Sequence, residues 1–277
     1  MIRRHLGLAL YNLVVWALVL TVAFPLFWML STALKPNQET FALPPTLLPV
    51  HPTLEQFRRL LTETPFATYF LNSVIVGLCT TALVVVIAVL GAYGLVRFRF
   101  PGRELIAHLV LFTYLLPAVL LLLPLYLIIS RLGLANSLAG LVIAYTTFAL
   151  PFALWLLRSF IAAIPIDLED AAMIDGASRM RAFLEVVIPQ ALPGIISTAL
   201  FTFILSWNEY LYALVFINLD SSKTLPPGVL TMLNQNQNVE WALLMAASVL
   251  MSVPVLLVFA FLQSHLTRGF GAGAVKG

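Results

Sequence analysis

Residues 67–96 read ATYFLNSVIVGLCTTALVVVIAVLGAYGLV, thirty consecutive positions without an Asp, Glu, Lys or Arg. A helix needs about 20 mainly apolar residues to cross the roughly 30 Å hydrocarbon core of a bilayer. The apolar side chains follow one another here without the strict alternation of a barrel strand. The stretch therefore predicts a transmembrane helix.

Five more apolar stretches of comparable length determine the expected fold class. Together the six predict spans at about 8–30, 67–96, 105–130, 138–161, 194–217 and 241–262. The chain is 61% hydrophobic and only 10% charged, which is too little polar material to cover a soluble globule. The first stretch follows Arg3 and Arg4 as a secretory signal would, but its apolar run is too long for a signal core. We therefore expect an all-α membrane protein with six transmembrane helices, forming a single domain over residues 1–277.

The distribution of basic residues predicts the orientation of these spans. With the N-terminus inside, ten of the fifteen Lys and Arg residues fall on the cytoplasmic side and five fall outside. Cytoplasmic loops of membrane proteins carry such an excess of positive charge. Both termini are therefore expected in the cytoplasm. The same dispersal among short loops argues against nucleic-acid binding, because no basic patch forms.

The residues that usually carry catalysis or hold cofactors do not form a recognisable pattern. Cys79 is the only cysteine, so no disulfide is available. The four histidines are scattered without the spacing of a metal site. None of the three lysines belongs to a Gly-Lys-Ser/Thr phosphate-binding loop. We predict that the chain is not an enzyme, has no catalytic residue or metal site, and binds no cofactor of its own.

The connection between the fourth and fifth spans, residues 162–193, contains the clearest local signals. Asp167 is placed to cap a short helix over about 168–174, and Gly176 can end it in the left-handed conformation. Ser178 can cap a second helix with one apolar face. Such an acidic hairpin at the membrane surface is either a docking element for a cytoplasmic partner or merely an amphipathic loop.

Two external segments and five prolines complete the organisation. Residues 33–66 contain six prolines and predict an ordered but irregular cap. The third external loop, about 218–240, holds an amide tract that is either flexible filler or a partner contact: Asn234, Gln235, Asn236, Gln237 and Asn238. Prolines inside the predicted spans indicate fixed kinks or hinges: Pro25, Pro117, Pro124, Pro151 and Pro254.

The cytoplasmic loop resembles that of ABC importer permeases. Their loop has the form Glu-Ala-Ala, three residues, Gly, nine residues, Ile-x-Leu-Pro. This chain has Asp170-Ala171-Ala172, three residues, Gly176, nine residues, and then Val-Val-Ile-Pro at 186–189, with Glu169 just before. The departures are conservative. Trp-Asn-Glu-Tyr at 207–210, Thr-Leu-Pro at 224–226 and the terminal residues 273–277 are further similar to the carbohydrate-uptake branch, in particular to the smaller membrane subunit of the maltose transporter.

The resemblance implies an ATP-driven sugar permease with several partners. It implies a second homologous permease subunit, two copies of a cytoplasmic ATP-binding-cassette subunit that use ATP and Mg, and an extracytoplasmic sugar-binding protein. It places the chain in the cytoplasmic membrane of a bacterium or archaeon, with residues 162–193 as the coupling-helix loop and residues 234–238 as a contact for the binding protein. The coupling residues that it implies are Glu169, Asp170, Ala171, Ala172, Asp175, Gly176 and Ala177.

The polar run in the fifth predicted span is the candidate substrate pathway. Its members are Trp207, Asn208, Glu209 and Tyr210. An ionised carboxylate within a span costs roughly 2.5–3.5 kcal/mol on insertion scales, so Glu209 needs a reason to be there. The run could line a route for a sugar, or it could pin one helix to another through hydrogen bonds.

Three other functions remain open from the sequence. The cargo could be a non-sugar polar solute such as a glycerol phosphate. A self-contained secondary transporter would usually show more intramembrane ionisable residues and an internal repeat, and neither is seen. A structural or assembly protein would use the cytoplasmic loop only as an anchor.

Overall fold

The computed structural model describes residues 2–235 and 240–271, and within these ranges it contains helices and no strand. Five helical runs are long and apolar enough to cross a membrane, and a sixth results if one bent pair is counted as a span. Short 3₁₀ turns occur at Glu39–Phe41 and Asp220–Ser222. The helices are α1 (Ile2–Ala33), α2 (Glu55–Thr62), α3 (Phe66–Arg97), α4 (Arg103–Leu115), α5 (Ala118–Arg131), α6 (Leu138–Ala162), α7 (Asp167–Ile174), α8 (Arg179–Ala182), α9 (Ile188–Trp207), α10 (Leu211–Phe216), α11 (Leu225–Gln235) and α12 (Trp241–Gly271).

Helices α3 and α6 coincide almost to the residue with the predicted spans at 67–96 and 138–161. The prediction of one helix over 105–130 is wrong. That stretch forms α4 and α5, which meet at a bend of 102°. Leu116 is extended at the break, with φ −73° and ψ 129°, because the ring of Pro117 disfavours a helical conformation in the residue before it. The other four prolines lie inside continuous helices.

The prediction of a fifth span at 194–217 is wrong at both ends. A helical run of 29 residues extends from Arg179 to Trp207 and joins α8 and α9 through a π-helical segment, Phe183–Val187. It begins after the predicted Ser178 cap, whose hydroxyl oxygen accepts a hydrogen bond from the amide of Arg181 at 3.3 Å. The run stops at residues 208–210, before α10 begins. The predicted pathway residues therefore lie at a helix break.

Residues 1–67 and 228–254 form one compact group. The segment after α1 is irregular but bonded internally, as the sequence indicates. The carboxylate of Glu39 accepts hydrogen bonds from the amides of Val50 and His51, at 2.8 and 3.4 Å. Lys35 is buried, donates to the carbonyl of Thr46, and lies 4.9 Å above the ring of Trp28. The same group contains an ion pair between Arg59 on α2 and Glu240, with N–O distances of 2.7 and 3.2 Å.

Residues 68–227 and 255–277 form the second group, in which α6 is the central helix. It packs against α4, α5, α9 and α10. Small residues allow this close approach: a Cβ atom on Gly194 of α9 would lie 2.4 Å from the ring of Phe160 on α6. Small side chains at helix contacts are typical of membrane bundles, where backbones pack closely.

Candidate functional site

The inner face of α7 is fixed by a buried ion pair. Glu169 is joined to Arg97, the last residue of α3, and their side chains are only 5% and 6% exposed. The Nε of Arg97 donates to one carboxylate oxygen. The hydroxyl of Tyr93 donates to the other at 2.9 Å. The Arg97 Nη2 also donates to the carbonyl of Ile164 at 2.8 Å. Both oxygens of the carboxylate are thus bonded within the chain.

The outer face of α7 is exposed and combines acidic with apolar side chains. Asp170, Asp175 and Ile174 are all exposed, and Ile174 is 86% accessible. Gly176 has φ +93°, which confirms the predicted left-handed end of the helix. Asp167 does not cap α7, because the helix begins at Asp167 itself and Ile166 occupies the capping position without a side-chain hydrogen bond.

The seven predicted coupling residues therefore divide into two groups. Ala171 is exposed, and Ala172 and Ala177 are half-buried on the same hairpin as Asp170, Asp175 and Gly176. Glu169 differs from the other six because its carboxylate faces inward. Sequence reasoning also missed Ile174, Arg97 and Tyr93. For Ile174 the available signal was an apolar residue directly before Asp175-Gly176. For Arg97 and Tyr93 no local signal was available, because they lie more than seventy residues before Glu169.

At the break between α9 and α10, Glu209 acts as the acceptor for the first turn of α10. Its carboxylate accepts from the amides of Tyr212 and Ala213 at 2.9 and 3.0 Å. The hydroxyl of Tyr145 on α6 donates to the same group at 2.8 Å. Unpaired amides at a helix start favour a negative acceptor. The carboxylate thus links α10 to α6, and it is half-buried.

The other three members of the predicted pathway run have different environments. Trp207 is 2% exposed and packs against the rings of Phe70 and Phe203, with centroid distances of 5.7 and 5.6 Å. Asn208 is exposed and donates to the carbonyl of Ile204 at 2.8 Å. Tyr210 is half-buried. Asn208 and Tyr210 reach the surface of the chain beside Glu209, whereas Trp207 contributes to the interior.

The two helix breaks lie next to each other. Tyr212, in the first turn of α10, donates to the carbonyl of Ala118, the first residue of α5, at 2.6 Å. A cleft of about 480 Å³ opens at this place and is lined by residues including Leu116, Ala118 and Leu205. A second cleft, of about 510 Å³, lies between α3, α4 and α6. Thr113 and Thr147 line both clefts, and among the residues that the structure describes no charged side chain lines either one.

The predicted contact for a binding protein falls mostly outside the described residues. Residues 236–238 are not described, and only the backbone of Asn234 and Gln235 is, as the last two residues of α11. Within residues 2–235 and 240–271, no three His, Cys, Asp or Glu side chains are grouped so that they could hold a metal ion.

Comparison with known proteins adds to this geometry. Residues 84–272 match the family described as "Binding-protein-dependent transport system inner membrane component". The inner membrane ABC transporter permease protein YcjP of Escherichia coli K12 is 37% identical over 99% of this chain and 95% of its own length. The diacetylchitobiose uptake permease DasC of Streptomyces coelicolor is 36% identical over 96% of both chains. The trehalose/maltose permease MalG of Thermococcus litoralis is 33% identical, also over 96% of both chains.

Solved structures show the same fold. A chain of a bacterial ABC transporter that imports the acidic polysaccharide alginate aligns with a TM-score of 0.79, over 94% of this chain and 96% of that one, at 23% identity. A chain of an alginate ABC transporter in complex with a pentasaccharide-bound periplasmic protein aligns with a TM-score of 0.67 over 95% and 94%, at 14% identity. With the family match over most of its length and relatives above 30% identity, the chain belongs to the inner membrane components of binding-protein-dependent transport systems, the permease subunits of ABC transporters.

Proposed function

We propose that this permease forms half of the translocation pathway for an uncharged sugar or sugar derivative. The observation that carries the proposal is the lining of the cleft at the helix breaks. Its described residues offer hydroxyls and aromatic rings and no charged side chain: Thr113, Thr147, Tyr114 and Phe148. Such sites suit polyhydroxylated ligands, since rings cover the apolar faces of a sugar and hydroxyls bond its edges. A glycerol phosphate would instead favour arginine or lysine at its site. The names of DasC and MalG support the same class of cargo.

The pathway in this proposal runs along the two helix breaks. Irregular backbone at membrane depth is tolerated where protein buries it or where it lines a water-filled cavity, and broken helices commonly form the substrate sites of transporters. Asn208, Glu209 and Tyr210 lie at one break. Thr113 precedes the other break and faces a cleft. Because Trp207 is packed inside the chain, its role in the proposal is to support the break rather than to contact the cargo.

The cytoplasmic hairpin from Asp170 to Ala177 is the proposed coupling element. Its exposed face places Ile174 between Asp170 and Asp175. An exposed apolar side chain with two carboxylates on the same helix fits a cleft with an apolar floor and a basic rim. We place it against a separate ATP-binding-cassette subunit, present in two copies, which binds ATP and Mg and performs the hydrolysis. The permease itself is not catalytic in this scheme.

The remaining parts of the proposed assembly follow from the topology. A second homologous permease completes the pathway, and an extracytoplasmic binding protein delivers the sugar to the external loops, including residues 234–238. Residues 1–277 act as one permease domain in the cytoplasmic membrane, with both termini in the cytoplasm. The two-to-one excess of Lys and Arg on the side that carries the hairpin supports this orientation.

Reconstitution tests the proposal. Vesicles containing both permeases and the ATPase subunit should take up sugar from a loaded binding protein only when ATP is present on the hairpin side. Ile174→Ser should reduce the amount of ATPase subunit that copurifies by about tenfold, since an apolar anchor at the centre of an interface contributes most of its affinity. Met180→Ser is the matched control, because Met180 is also an exposed apolar residue but lies on α8, after the hairpin from Asp170 to Ala177. Uptake that needs an ion gradient and no ATPase subunit would identify a secondary transporter instead.

A further inference from the structure

The buried contact between Arg97, Glu169 and Tyr93 joins two elements that serve different purposes. Arg97 and Tyr93 lie on the last turn of α3, which crosses the membrane. Glu169 lies on α7, whose opposite face carries the exposed Ile174. Three side chains therefore link a membrane span to the hairpin over 72 and 76 residues of sequence separation.

Each oxygen of the Glu169 carboxylate accepts one hydrogen bond. Arg97 donates from Nε to one oxygen of Glu169, and Tyr93 donates to the other. The second guanidinium contact, from Nη2 to the Ile164 carbonyl, holds the turn that enters α7. The guanidinium thus contacts α7 through Glu169 and the turn before α7 through Ile164. Both side chains are more than nine-tenths buried, so water has little access to the contact.

Aromatic packing encloses this contact. The ring of Tyr93 lies 4.5 Å from that of Phe183 in the π-helical segment, and it meets the edge of Phe98 at 6.0 Å. The guanidinium of Arg179 lies 5.4 Å from the ring of Phe98. The ends of α3, α7 and the 179–207 run therefore meet around one carboxylate.

Stability alone does not account for such a pair. The cost of removing two charges from water commonly equals or exceeds their mutual attraction, and apolar residues of similar size often stabilise a protein more. A fully bonded polar network instead specifies one relative position of the elements that it joins. Apolar contacts allow two helices to slide over each other, whereas two directed bonds to one carboxylate do not.

We infer that Arg97, Glu169 and Tyr93 form a rigid joint that transmits movement of the coupling hairpin to the cytoplasmic end of α3. The inference rests on the proposed function. In it, Glu169 is a positioning residue: it contacts neither the cargo nor the ATPase subunit, and its carboxylate makes α7 and α3 move as one body. When the ATPase subunits close, the displacement of α7 is delivered to a membrane span directly, in addition to the path along the chain.

The test uses the complete transporter in vesicles and measures the number of sugar molecules taken up per ATP hydrolysed. Glu169→Gln keeps the shape and removes the charge. We expect normal copurification of the ATPase subunit and basal ATP hydrolysis within about twofold of wild type, while uptake per ATP falls about tenfold, a typical size for coupling between sites. Glu185→Gln is the matched control, since Glu185 belongs to an exposed ion pair with Arg181 in the 179–207 run that follows the hairpin.

Two further variants separate a joint from a general structural role. Exchanging the charges, with Arg97→Glu and Glu169→Arg together, should raise uptake per ATP at least about threefold above either single change, which only a direct interaction explains. Tyr93→Phe keeps both charges and removes one hydrogen bond, so it should lower uptake per ATP about two- to threefold. The Tyr93→Phe variant still tests the inference if the transporter with the exchanged charges does not assemble.

The outcomes distinguish this inference from the proposed function. Unchanged uptake per ATP in both Glu169→Gln and Tyr93→Phe overturns the joint. Loss of the ATPase subunit from the Glu169→Gln complex also overturns it, because the residue would then support docking itself. If wild-type vesicles show no ATP-driven uptake of sugar, the proposed function fails instead.

Discussion

Replacing Glu209 by leucine should destabilise the break between α9 and α10. The change leaves three donors without their acceptor: the amides of Tyr212 and Ala213 and the hydroxyl of Tyr145. A hydrogen bond to a charged group contributes roughly 1.5–3 kcal/mol, so three would amount to about 4–9 kcal/mol if nothing replaced the carboxylate. Glu209 is half-buried, so water can enter and accept some of the hydrogen bonds that the carboxylate accepted. We therefore expect a loss of about 3–5 kcal/mol in the free energy of unfolding.

Thermal unfolding of the purified complex, followed by tryptophan fluorescence, measures this loss. A change of 1 kcal/mol shifts the Tm of a chain somewhat smaller than this one by about 2–4 °C, so Glu209→Leu should lower the Tm by about 6–20 °C. Tyr145→Phe removes one of the three bonds and should lower it by about 2–5 °C. Asn208→Leu is the matched control, since its side chain is exposed and next in sequence. A Tm for Glu209→Leu within about 2 °C of wild type would refute the structural role of this carboxylate.

Two other predictions concern the hairpin and the irregular segment after α1. Gly176→Val should destabilise the end of α7 by about 1–2 kcal/mol, because the backbone φ at this residue is +93°. The hairpin of this variant should therefore be cleaved faster by a protease. Ala177→Val is the control, and equal cleavage rates in the two variants would contradict the prediction. The amides of Val50 and His51 lower the pKa of Glu39, against some desolvation. A carboxyl whose pKa is lower in the folded state stabilises the fold above its unfolded pKa, and this contribution is lost as the pH falls through the folded value. Protection of residues 34–54 from protease should therefore decrease below about pH 4.5, the ordinary pKa of the group, and this dependence should be absent in Glu39→Gln.

The sequence predicted the helix bounds correctly where one continuous apolar run forms one helix. In α3 and α6, apolar runs end at residues that favour helix ends, and the bounds agree within one residue. Composition could not locate the breaks, because apolar residues continue through both of them. At Leu116-Pro117 the restriction before a proline was available as a signal. At residues 208–210 the only signal was the polar run itself, which was interpreted as part of a continuous helix.

The direction of Glu169 could not be predicted from the hairpin sequence. An acidic residue on a short amphipathic helix is usually exposed, and its neighbour Asp170 is. What turns Glu169 inward is a guanidinium at the end of a span 72 residues earlier, and local periodicity contains no information about such a pair. The left-handed Gly176 and the Ser178 cap were predictable, because each depends on residues within three positions.

The length of the helical run from Arg179 to Trp207 determines how far one of its ends moves when the helix tilts. Twenty-nine residues at 1.5 Å per residue give a rod about 43 Å long, which begins beside the hairpin and ends at a helix break. A rod of this length that tilts by about 5° around its end at Arg179 displaces the other end by about 4 Å, more than the diameter of a water molecule. A small angular change on one side of the membrane can thus open or close a gap at the far end, without any bending of the helix between them.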